Sequence, residues 1–376
     1  MPSKESAKYC TVFTAYLRLC VVGICLLLTS CGDLSTPATQ SLTLTPEELS
    51  SKIDQMMDSL AEEESFTGAV LVARNDEILL GQGYGWANWE KRIPNAPQTK
   101  FRIGSVTKQF TAMAILILQA EGRINVQEQI CRYIPDCPAA WQEITIHHLL
   151  THTSGIPNFT GFRNYREMKA TPSTPEQTMA RFKDISLDFK PGEKWRYSNS
   201  GYIVLGYIIE QASGQSYEMY LQQKIFEPLQ MTSTGYDHND GSLATGYTGA
   251  KSRWKNADYI DMSIPFAAGA LFSTIKDLHR WDRALYTEQL VSQELLDIMF
   301  NPHAEIPRSD DHYGYGWMIG KIGNHQVISH GGGIDGFLTE IRRYPDDKVT
   351  IIILSNRDTT DIAHVADQIA KIVFEK

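Results

Sequence analysis

Residues 101–118 read Phe-Arg-Ile-Gly-Ser-Val-Thr-Lys-Gln-Phe-Thr-Ala-Met-Ala-Ile-Leu-Ile-Leu, and no glycine or proline follows Gly104 until Gly122. The pattern predicts a helix that starts at or near Ser105 and enters a core. Ser105 and Lys108, three apart, share one face of such a helix and lie within mutual reach. A serine hydroxyl becomes a nucleophile when a neighbour takes its proton. A lysine can do so only as a free amine, and desolvation at the end of a buried helix favours that form. The helix N-terminus also aims unpaired N–H groups at any anion forming there. The stretch therefore points to a serine nucleophile with a lysine base.

The spacing alone is cheap. A chain of 376 residues holds roughly one or two Ser-x-x-Lys matches by chance, and this one has three. Ser273/Lys276 overlaps a helix start in which Thr274 and Asp277 stand at capping-box spacing. Ser252/Lys255 lies in a polar, glycine-flanked stretch with no apolar run to bury an amine. The rest of the chain must separate Ser105 from these two.

The first thirty residues read as an export signal, with Lys4, Lys8 and Arg18 ahead of an apolar run, 19–28, too short to span a bilayer. Leu28-Thr29-Ser30-Cys31 resembles the lipobox of bacterial lipoproteins, which makes Cys31 the expected lipidation site. The alternatives are an ordinary secretory signal cut nearby or an uncleaved anchor. Gly32, where an inner-membrane retention signal would place Asp, leans the expectation to the periplasmic face of an outer membrane. Residues 31–45, rich in Ser, Thr, Pro and Gln, read as a flexible tether.

Residues 46–376 exceed one simple core, so one large domain or two interleaved subdomains is expected. Cys131 and Cys137 are the cysteines left after the leader and Cys31. In an oxidising compartment they form a plausible local disulfide, the alternative being two buried thiols. Loss of residues 1–30 takes the formal charge from −9 to −11, since three basic and one acidic side chain leave. No basic stripe remains, so nucleic acid is not an expected partner.

Pro46 to Ala61 has helical apolar period, and 68–73 and 78–80 flank a polar turn as a strand pair. After the Ser105 helix come more than a hundred residues of helix and loop signals. The period then returns to two over 316–319, 325–329, 337–343 and 349–354, and Asp361 to Phe374 closes as a helix. This predicts an α+β fold: an antiparallel sheet built from both chain ends, flanked by helices, with an inserted, mostly helical subdomain. The sheet part takes 46–122 and 265–376, the insert 123–264, and Ser105 falls at their seam, where clefts form.

Three further stretches can meet Ser105. In Lys190-Pro-Gly-Glu-Lys-Trp-Arg-Tyr197-Ser-Asn199, the alternation lets Tyr197 and Asn199 face one side. A phenol whose pKa a lysine lowers can shuttle protons, and an Asn amide can orient that lysine and a substrate carbonyl; the alternative is an ordinary surface loop. His330-Gly331-Gly332-Gly333 gives close backbone approach and N–H groups for an anion, with an imidazole beside them. The alternative here is a glycine-rich bulge at a strand end. His148 and His152 have a spacing that zinc ligands use on helices. No Glu follows the first as in His-Glu-x-x-His and no third ligand is placed, so a hydrogen-bonded helix end is the better reading. Lys321-Ile-Gly323, between two strand signals, reads as a hairpin turn.

Together these stretches resemble serine hydrolases of the class C β-lactamase and D-alanyl-D-alanine carboxypeptidase type, which include esterases and D-aminopeptidases. The matching runs are 101–108, 144–156, 190–202, 268–278, 313–317 and 329–337, in the family's order over nearly all of the mature chain. The resemblance implies Ser105 as the acylated nucleophile, Lys108 as its base, and Tyr197 as an aid to proton transfer. Asn199 would contact Lys108 and the substrate amide. His330-Gly331-Gly332 takes the third-motif position as part of the substrate site, and the N–H groups of Ser105 and Gly333 would form the oxyanion hole. No metal and no cofactor is expected; the partner is a small molecule or short peptide, and the oligomeric state stays open.

The third motif of the β-lactamases is usually Lys-Thr-Gly, whereas His330 and Gly331 stand in its first two places here. Losing that lysine and that hydroxyl should weaken discrimination in favour of carboxylated substrates. The expected activity is hydrolysis of an ester or amide, with D-amino-acid peptides among the candidate substrates. A true β-lactamase, or a penicillin-recognising module that acylates without turnover, are the alternatives.

Overall fold

A computed structural model describes residues 44–249 and 253–374. The leader, Cys31, most of the tether and Ser252 lie outside the described residues. Eight strands form one sheet in which every neighbouring pair is antiparallel. In spatial order they are Ala304–Glu305, His312–Tyr313, Met318–Ile322, His325–Ile334, Phe337–Tyr344, Val349–Ser355, Gly68–Arg74 and Glu77–Tyr84. The sheet is thus built from both ends of the chain, with Gly68 opposite Ser355 and Arg74 opposite Val349. The two short strands at one edge carry no alternating run long enough to signal them.

Both faces of the sheet are covered, so its central strands are apolar throughout rather than alternating. Val70, Val72, Ile351 and Ile353 pack on one side under the helices Pro46–Glu62 and Ile362–Phe374. Ala69, Leu71, Ile352 and Leu354 face the larger core on the other side. Each fully buried Val, Leu or Ile among them contributes roughly 1.5–3 kcal/mol. The first helix begins where the sequence places it, because Thr45 accepts the Glu48 N–H, Glu48 accepts the Thr45 N–H, and Pro46 opens the first turn.

The larger core holds the Thr107–Ala120 helix, packed against Asn199–Ser213 and Phe266–Gly269. The helix Ile275–Ala284 lies on strands Val349–Ser355 and Gly68–Arg74. It is tied to the sheet by a buried ion pair: Arg343 Nε donates to Asp282 at 2.6 Å, and Thr350 Oγ1 donates to the other carboxylate oxygen at 2.6 Å. A small three-stranded sheet joins Phe101–Arg102, Leu271–Ser273 and Gly235–Tyr236, taking strands from both sides of the predicted insert boundary. Cys131 and Cys137 are joined in a disulfide. Gly323 has φ +59° and turns the hairpin between 318–322 and 325–334, which accounts for the Lys321-Ile-Gly323 pattern.

Candidate active site

The nucleophile turn is fixed from two directions. Strand Phe101–Arg102 pairs with Leu271–Ser273, and the Ile103 N–H donates to the Leu271 carbonyl at 3.0 Å. Gly104 then adopts φ +49°, and a 3-10 turn over Gly104–Val106 leads into the Thr107–Ala120 helix. On its other flank the turn rests on the triglycine strand. A Cβ at Gly332 would stand 2.1 Å from the Ile103 carbonyl oxygen, and one at Gly104 would stand 2.9 Å from Gly333 N. Only glycine lets these two backbones meet, which brings Ser105 and Gly333 to one cavity wall.

Lys108 is fully buried one helical turn from Ser105. Its Nζ lies 3.1 Å from Ser105 Oγ, 2.8 Å from Asn199 Oδ1 and 2.8 Å from the Ala268 carbonyl oxygen. Burial holds the amine well below the usual lysine range. A neutral amine has two N–H donors and one lone pair, and Asn199 Oδ1 and Ala268 O can only accept. In that form they would use both donors and leave the lone pair to the Ser105 hydroxyl. Asn199 opens the helix Asn199–Ser213 and is itself held, its Nδ2 donating to Thr160 Oγ1 at 3.1 Å and its N–H to Asn158 Oδ1 at 3.0 Å.

Tyr197 lies beside the pair, with Lys108 Nζ 4.8 Å from its ring centroid. Its hydroxyl is buried and makes no complete hydrogen bond. Burial raises the phenol's pKa, opposed in smaller measure by the Ser105 hydroxyl. The phenol's own burial outweighs the lowering expected from lysine charge, and it stays protonated.

His330 shares a strand face with Gly332, where a Cβ would stand 3.2 Å from Ser105 N. It is buried, and its ring is 6.2 Å from that of Tyr197, centroid to centroid. The Tyr313 hydroxyl donates to Nε2 at 2.9 Å, and Nδ1 donates to the Gly331 carbonyl at 2.6 Å. Burial first, and Lys108 second, push its pKa down to about 3, so the ring is neutral. Gly331 faces the opposite side of the strand, where a Cβ would meet Glu340 Oε2 at 3.1 Å. Of the run 330–333, only Gly333 lines the cavity.

His152 is the residue that sequence reasoning underrated. The helix Ile146–Leu150 ends before it, and its φ of +60° turns it off the face that His148 occupies. His148 instead closes a capping box with Thr145. His152 packs its ring 4.2 Å from that of Tyr197 and accepts the Ser198 N–H on Nδ1 at 3.2 Å, so it fixes the loop that carries Tyr197. Among the described residues no group of three or more His, Cys, Asp or Glu side chains is arranged to hold a metal ion.

The cavity at Ser105 has a volume of about 250 Å³. Phe159, Tyr165, Ile260, Pro265 and Ile334 make its walls apolar, and Thr160, Asn199 and Asp335 are its polar side chains besides Ser105. Asp335 is paired with Lys169. No cation lines the cavity among the described residues.

A penicillin-binding protein of Bacillus subtilis (strain 168) is 31% identical over 326 residues, which are 81% of this chain and 71% of that protein. The solved octameric penicillin-binding protein homologue from Pyrococcus abyssi superposes with a TM-score of 0.78 at 29% identity, covering 87% of this chain and 77% of that one. A D-stereospecific amidohydrolase from Streptomyces sp. gives 0.74 at 25% identity, over 86% and 98%. Fold and likeness together define a serine hydrolase of the β-lactamase and penicillin-binding protein superfamily. The chain belongs to the Beta-lactamase family, whose model matches residues 51–374.

Proposed function

We propose that this protein hydrolyses esters or amides through an acyl-enzyme on Ser105. The observation that carries the reading is the coordination of Lys108 Nζ: two obligate acceptors and one serine hydroxyl around a fully buried amine. Ser105 Oγ attacks the substrate carbonyl as its proton passes to Lys108. The N–H groups of Ser105 and Gly333 receive the developing oxyanion, a device worth about 3–4 kcal/mol per donor. As the tetrahedral intermediate collapses, the leaving oxygen or nitrogen takes a proton from Lys108, directly or through the Tyr197 hydroxyl. Water then attacks the ester on Ser105, its proton returning by the same groups.

The cavity supports an uncharged acyl group better than a carboxylated substrate, because no lining cation would offset a carboxylate's desolvation. The D-stereospecific amidohydrolase of Streptomyces supports amides of D configuration as one substrate class. The Bacillus relative supports a second reading, acylation by a β-lactam with slow or no turnover. A panel of p-nitrophenyl butyrate, a D-alanyl-D-alanine peptide, a D-amino-acid amide and nitrocefin separates them. We expect ester or amide turnover that disappears in Ser105→Ala. Nitrocefin turnover outpacing every other substrate would make the protein a β-lactamase. A stable adduct with no turnover of anything would make it a binding module.

We also propose that the chain is exported and anchored through lipid on Cys31. Among the described residues no helix is long and apolar enough to cross a membrane. Cys31→Ser should move the protein from the membrane to the soluble fraction, and unchanged fractionation would refute the lipid anchor.

A further inference from the structure

The Ser105 cavity and a second cavity of about 320 Å³ meet at Asp335, a residue that lines both. Asp335 is not a free wall. It pairs with Lys169, a buried lysine that follows the short helix Tyr165–Met168. Lys169 Nζ also stands 4.0 Å from Asp258, which lines the second cavity and is held in turn by Arg166 at 3.1 Å. Tyr165, on the same short helix, forms part of the first cavity's wall. The ion pair therefore ties the helical side of the cleft to the end of the triglycine strand, at the boundary between the two spaces.

The direction of the substrate follows from the proton path. A leaving group must lie beside the groups that protonate it, Lys108 and Tyr197, and Tyr197 packs against His330, on the His325 side of Gly333 in strand His325–Ile334. The acyl arm must then leave Ser105 the other way, past Gly333 and Ile334 toward Asp335. Ile334 lines that path, and Asp335 closes it.

The geometry points to the Lys169–Asp335 pair as a specificity-determining partition that limits the length of the acyl group the enzyme accepts. This rests on the Ser105 acyl-enzyme reading above. A space of about 250 Å³ falls below the roughly 300–1,000 Å³ of pockets that take drug-sized ligands, so the class favoured is a short, uncharged acyl group. Cutting the partition joins a second, comparable volume to the first and admits longer acyl chains.

The test uses the full chain in detergent and p-nitrophenyl esters from acetate through butyrate and hexanoate to decanoate. In the native protein kcat/KM should fall by about tenfold or more between butyrate and decanoate, since even one methylene misfitted in a pocket is commonly worth roughly 10–200-fold. Asp335→Gly and Lys169→Ala should each flatten that profile, decanoate gaining on butyrate by about tenfold, while Lys169→Arg should keep the native profile. Melting temperatures show which variants are folded, and either opening variant suffices. A native profile that is already flat, or opening variants with the native preference, overturn the partition. If no ester turns over, the hydrolase reading fails on its own. The partition is then read from the rate at which alkyl fluorophosphonates of the same lengths label Ser105, with the same changes expected. Failure of the shortest probe to label Ser105 overturns both.

Discussion

Ser105→Ala, Lys108→Met and the double variant should lose activity to about the same extent, roughly 10⁴–10⁶-fold in kcat, because parts of one proton-transfer unit fail together rather than additively. Lys108→Arg should fail nearly as badly. A guanidinium stays charged at any working pH and has no lone pair to offer Ser105, whereas a role for mere positive charge would be rescued. The pH profile carries the same logic. Lys108 acts as the amine, so kcat/KM should rise with pH as the group passes its lowered pKa, and fall below it. His330, pushed down to about 3, stays neutral across the working range and adds no limb of its own there. Steady-state kinetics on the best ester of the panel reads all of this. A Lys108→Arg enzyme within tenfold of native, or losses that multiply in the double variant, would remove lysine from the role of base.

The second large effect is on stability and far from Ser105. Asp282→Ala should cost about 3–5 kcal/mol, because it strands the Arg343 guanidinium in the core. That guanidinium is ringed by Tyr286, Phe300 and Trp317, with centroid distances of 4.5, 4.9 and 5.8 Å, and is 2% exposed. Urea unfolding followed by tryptophan fluorescence measures the loss as a lowered midpoint. Adding Arg343→Met to Asp282→Ala should recover much of it, since no uncompensated charge then remains buried. A single variant within 1 kcal/mol of native would show that water or a shifted side chain reaches the arginine.

The fold was legible because its signals are local and repeated. The period-two runs near both ends, the helical periods outside them, and the glycine and proline breaks between predict a sheet made from both termini, and strands Gly68–Arg74 and Val349–Ser355 pair accordingly. Strands Ala304–Glu305 and His312–Tyr313 were not legible, since two residues carry no period. At the site, Ser105, Lys108, Tyr197 and Asn199 stood out, and the structure brings them together. The facing of Gly331 toward Glu340 did not, because a motif gives position along a strand and not what packs on each side of it. Thr160, the Ala268 carbonyl and the Lys169–Asp335 pair are joined to the site by tertiary packing alone, and no spacing in the chain announces them.

The pairing of Gly68–Arg74 with Val349–Ser355 also sets the order in which the molecule can become itself. A ribosome releases the early strand some 280 residues before its late partner, and in that interval the strand has only its hairpin neighbour, a unit marginal in water. The central contacts are nearly as distant in sequence as the described chain allows, which makes them slow to form by diffusion of the chain. The sheet therefore closes only at the end of synthesis, and until then strand Gly68–Arg74 waits with one edge unpaired.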